Sequence, residues 1–84
     1  MAKKRRNVFN KKWVLGNLRE TVEHIESAVK LIEETGRENV LEAWIEFIYL
    51  DLNRAWNGRR MTIKECQAND EQIRSFPTDI DFGD

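Results

Sequence analysis

The sequence predicts an all-α protein: an antiparallel hairpin of two long helices with a short third helical segment at its C-terminal end. Three observations carry this expectation. Val40 to Asn57 runs without a helix breaker and is apolar on most of its circumference. An earlier stretch repeats apolar residues at Leu15, Leu18, Val22, Ile25, Val29 and Ile32, alternately three and four apart. One proline and four glycines in 84 residues are too few for a sandwich with a turn in every ten residues.

Residues 1–9 form a basic arm with almost nothing to bury and are expected to be disordered. The first helix opens at Asn10 as N-cap, with Phe9 placed to staple onto Val14. Gly16 is tolerated inside it at about 1 kcal/mol. The heptad seam runs through it as the stripe expected to pack lengthwise on the central helix, and Thr35-Gly36 ends it. Asn39 is the expected cap of the next helix, with Glu42 at the capping-box position. So short a link forces the two helices antiparallel.

The central helix offers two seams. Leu41, Trp44, Ile48, Leu52 and Ala55 form one, which the first helix is expected to cover. Val40, Ala43, Phe47, Leu50, Asp51 and Arg54 form the other, on the far side, and need a different cover. Gly58 is expected to close the helix in a left-handed turn. Thr62-x-x-Glu65 is a capping box for a third helix to about Ala68, followed by a helical turn over 70–75. Pro77 stops it, so one helical domain spans 10–76 and an extended or disordered acidic tail spans 77–84.

Composition restricts function. The single Cys66 leaves no intramolecular disulfide and no cysteine-built zinc site, which fits a reducing compartment, most simply the cytoplasm. Glu46 and Asp51 interrupt the best apolar run, so no membrane span is expected. The basic N-terminus lacks the apolar stretch of a secretory signal. The one histidine, His24, lies off the heptad seam and reads as an exposed or half-exposed surface residue. Glu42, Glu46 and Asp51 do not share a helix face, because Asp51 is about 180° around from Glu42, so they cannot hold one ion together. Neither Cys66 nor Ser27 has a base in reach, and there is no glycine-rich phosphate loop. The expectation is therefore no catalytic residue, no metal, no cofactor and no small-molecule substrate.

What remains is interaction. The favoured function is a small non-enzymatic module working through helix–helix contacts, its partner a second copy or another helical protein. The expected surface is Val40, Ala43, Phe47, Leu50, Asp51 and Arg54, with Phe47 at the centre of a homodimer. Asp51 needs a partner there: Arg54, Arg59, Arg60 or the Trp13 indole. Trp56, Asn57, Arg59 and Arg60 make a candidate docking corner. The alternative is nucleic-acid binding through Arg59, Arg60 and the arm cations Lys3, Lys4, Arg5, Arg6, Lys11 and Lys12, with no acidic residue among the first twelve. A net charge of −1, and no basic-aromatic pattern inside a folded element, make such binding weak and unspecific.

Overall fold

A computed structural model describes residues 8–80. It shows an all-α hairpin: α1 (Lys11–Thr35), α2 (Glu38–Asn57), α3 (Ile63–Ala68) and α4 (Asp70–Ile73). The arm residues 1–7 and the tail residues 81–84, with Lys3, Lys4, Arg5 and Arg6 among them, lie outside the described residues.

Asn10 caps α1, its side-chain oxygen accepting from the Trp13 backbone N–H at 3.0 Å. Gly36 ends the helix at φ 63, a left-handed conformation, and its N–H bonds the Ile32 carbonyl at 2.7 Å. The link to α2 is tighter than expected. Its N-cap is Arg37, without a side-chain cap, rather than Asn39 with Glu42. Gly36 completes the reversal by itself, so Glu38 already stands in the first turn, where the helix dipole favours its charge.

Gly58 also departs from expectation, with φ −95 rather than a positive value. It is required for space. A Cβ there would sit 2.5 Å from the Trp13 indole nitrogen, 2.8 Å from Cys66 Sγ and 3.0 Å from the Arg54 carbonyl oxygen. Around it the open end of the hairpin is knitted together. The Asn10 backbone N–H donates to Arg59 O at 2.6 Å, and Asn10 Nδ2 donates to Met61 O at 2.6 Å. The Trp13 indole donates to Arg54 O at 2.9 Å.

The third helix opens with the expected capping box: Thr62 and Glu65 exchange side-chain and backbone bonds of 2.9 and 3.1 Å. The chain then turns back along α2. Asn53 and Asn57 donate from that helix to the carbonyls of Arg74, Ile73 and Ser75 at 2.7 to 2.9 Å. The most buried side chains, Ile73 and Cys66, belong to this C-terminal part. The core therefore sits at the open end, and the rest of the hairpin is two helices thick in one direction and one in the other.

The first helix does not turn its heptad seam toward α2. Leu18, Val22, Ile25 and Val29 are 40 to 54 % exposed, while Asn17, Thr21 and Ala28 are buried. With Trp13 and His24, these three fall on one α1 stripe at spacings of four, four, three and four. That stripe faces α2. The heptad pattern identifies a continuous apolar face correctly, but not what it meets.

Candidate interaction surface

Asn17 and Thr21 can be buried in this stripe because each donates to a carbonyl of its own helix. Asn17 Nδ2 donates to the Trp13 carbonyl at 3.0 Å, and Thr21 Oγ1 to the Asn17 carbonyl at 2.8 Å. Both residues are small, as are Ala28 and Ala55 in the two facing helices. Close approach is then limited by backbone rather than by long side chains.

At its centre lies a pair that sequence reading does not connect. His24 Nδ1 is 2.7 Å from Asp51 Oδ2, across the hairpin. The acceptor is a carboxylate, so Nδ1 is the protonated nitrogen. Asp51 is 2 % exposed, and Arg54 Nη1 reaches its other oxygen at 3.7 Å. Of the partners expected for Asp51, Arg54 is present. Arg59 and the Trp13 indole are engaged elsewhere. His24 is half-exposed, as the sequence suggests, but it has a partner, and its ring packs on Trp44 and Phe47 at 5.5 and 5.6 Å between centroids. Helical periodicity gives each residue a face but does not pair faces between helices, so this contact leaves no mark in the spacing.

This changes the surface read from the far side of α2. Asp51 points into the hairpin and Arg54 binds Asp70 Oδ1 at 3.2 Å, so neither is offered outward as an acid–base pair. Val40 and Leu50 are half-buried, and Ala43 and Phe47 remain exposed. The docking corner is occupied by the chain's own tail. The Arg59 guanidinium lies 3.7 Å over the Trp56 ring and 3.5 Å from Asp79, and the Trp56 indole donates to Asp79 Oδ1 at 2.8 Å. That indole bond, with the Arg59 charge beside it, holds the exposed Asp79 carboxyl below its usual range. Asn57 bonds Ile73 and Ser75, and Arg60 stays exposed. Burial, with Glu65 beside it, pushes the Cys66 thiol up.

A larger surface opens on the other side. Leu41, Ile45 and Leu52 of α2 are 39 to 45 % exposed and share one narrow stripe. First-helix coverage of the seam from Leu41 to Ala55 therefore holds for Trp44, Ile48 and Ala55, which are half-buried or buried, but not for Leu41 and Leu52. Leu18 and Leu52 line the same hollow, which places this stripe and the heptad seam of α1 on one side of the hairpin. The hollow measures about 610 Å³ and continues the face toward the open end between Phe9, Tyr49, Trp56 and Phe76. Leu18, Val22, Ile25, Val29, Leu41, Ile45 and Leu52 thus form one outer apolar face that runs into the hollow.

Among the described residues no group of three His, Cys, Asp or Glu side chains is arranged to hold a metal ion, and no helix is long and apolar enough to cross a membrane. No protein-family model matches this chain, and no curated protein or solved structure does either.

Proposed function

We propose that the chain is a small cytoplasmic interaction module without catalytic activity. It works through helix–helix contacts and takes a second copy or another helical protein as partner. One observation carries this: the outer face sets two apolar stripes side by side, one from each long helix, whose side chains are 39 to 54 % exposed among the described residues. Helices bury such stripes best against other helices, ridge into groove. The test is retention on immobilised chain, comparing the native sequence with Ile25→Glu plus Leu52→Glu. Both side chains are exposed, so the variant keeps its helicity by circular dichroism. A protein, this chain included, that the native sequence retains and the variant loses is the expected result. Equal retention by both would sink the reading.

Nucleic-acid binding is the second reading, supported by exposed Lys11, Lys12 and Arg60 at the end nearest in sequence to the cations at 3–6. The binding expected is roughly micromolar or weaker at physiological salt and falls steeply as salt rises. A nanomolar, sequence-selective complex in a gel shift would promote this reading over the first.

A further inference from the structure

We infer that the partner of the outer face is a second copy of this chain, docked face to face as a four-helix bundle with the two hairpin turns at opposite ends. The inference rests on the helix-contact reading above and adds to it the occupant and its orientation.

Area comes first. The exposed fractions of the outer aliphatic side chains leave on the order of 600 Å² open on each chain. The half-exposed Phe9, Tyr49 and Phe76 at the rim of the hollow bring this toward the roughly 800 Å² per partner of a standard stable interface. A twofold pairing uses the same patch twice and leaves none of it open.

Charge fixes the orientation. Two twofold axes can set the face against itself: one along the helices, which puts both turns at one end, and one across them, which opposes the turns. Lys11 lies seven residues before Leu18, and Glu33 four after Val29, so both continue the exposed stripe of α1 at its two ends. Val22 is their midpoint, eleven residues from each. An axis across the helices at Val22 sets each Lys11 against the Glu33 of the other copy. An axis along the helices gathers both lysines at one end and both glutamates at the other. The crosswise axis is therefore the favoured one.

Shape agrees with this choice. On α2, Leu41 and Ile45 carry the exposed stripe on the turn side of Asp51, while Leu52 and Trp56 wall the hollow on the open side. Opposing the turns carries the Leu41 and Ile45 stripe of each copy toward the hollow of the other. The pairing is self-complementary in the sense a twofold interface demands.

Three measurements on the full chain decide the matter. Light scattering on a sizing column at about 50 μM should give twice the chain mass of 10.0 kDa. Val22→Cys should form an interchain disulfide on mild oxidation, and Glu23→Cys, exposed on another face of α1, should not. Lys11→Glu should weaken the dimer about tenfold, and Lys11→Glu combined with Glu33→Lys should restore it. A dimer in which the Val22→Cys variant cross-links no faster than the Glu23→Cys variant, or in which the charge swap does not rescue, would overturn the opposed arrangement. A native monomer at 10.0 kDa would overturn the second copy altogether. With that monomer, face-dependent retention of a different protein would leave the helix-contact reading standing, whereas equal retention by native and variant chains would remove both. Monomers binding anionic phospholipid vesicles through the same face would also overturn the second copy.

Discussion

Between the two long helices lie Asn17, Thr21, His24 and Asp51; on the outside lie Leu18, Val22, Ile25 and Val29. The inner α1 residues and the outer ones share a single helix, about a quarter turn apart, and their chemistry is the reverse of a simple amphipathic pattern. The difference teaches that burial follows small size and internal hydrogen-bond satisfaction as well as hydropathy. Asn17 and Thr21 are small, and each donates to a carbonyl of its own helix. A polar inner seam also limits register. Sliding either helix by one turn would separate His24 from Asp51 and leave a buried carboxylate short of its partner.

The comparison predicts unequal sensitivity to substitution. Asp51→Ala should have the largest effect, a loss of about 3 kcal/mol of stability in urea unfolding, because it strips a nearly buried partner from His24 and Arg54. A double-mutant cycle with His24→Ala should recover part of that loss as coupling; strict additivity would show that the pair does not hold the seam. Gly58→Ala should lose about 2 kcal/mol, since its new methyl meets Trp13, Cys66 and the Arg54 carbonyl oxygen together. A neutral Gly58→Ala would mean that the open end is looser than its hydrogen bonds imply.

The tail contact has a smaller and pH-dependent effect. Asp79 has a lowered pKa in the folded chain, so its contribution is complete above the ordinary aspartate value of about 3.9 and is lost as pH falls through the lowered value. Trp56 fluorescence should therefore change in acid below about pH 4, and Asp79→Asn should abolish that step. The smallest effect is expected outside. Ile25→Gln, at a position 44 % exposed, should change the stability of the isolated hairpin by no more than about 0.5 kcal/mol. A loss above about 2 kcal/mol in the monomer would show that the outer stripe belongs to the hairpin interior after all.

Much of this fold is legible in the sequence. The Asn10 cap, the end at Gly36, and the Thr62–Glu65 box depend on local chemistry, and each can be read from a few adjacent residues. Gly58 misleads because glycine serves two purposes, positive φ and close approach, and only a tertiary neighbour such as Trp13 tells them apart. The surface is less legible. Apolar spacing locates a stripe but not its partner, and the stripe expected to close the hairpin faces outward instead. The signal that could have found the true seam is the second periodicity of Trp13, Asn17, Thr21, His24 and Ala28, which a count of apolar residues passes over.

The junction at Gly58 also sets an order of assembly. The two-residue link brings neighbours together at once, and the hairpin can zip away from Gly36 with each pair closing only a small additional loop. Asn10 and Met61 are 51 residues apart, and they meet at the far end of that zip. The open end should therefore be the last part to form, and because it holds the most buried side chains it should open rarely once formed. Cys66, packed against Gly58 there, becomes a clock for that late step. Its thiol should react slowly in native chain and at full speed in denatured chain, and the ratio of the two rates measures how often the zip comes undone at its end.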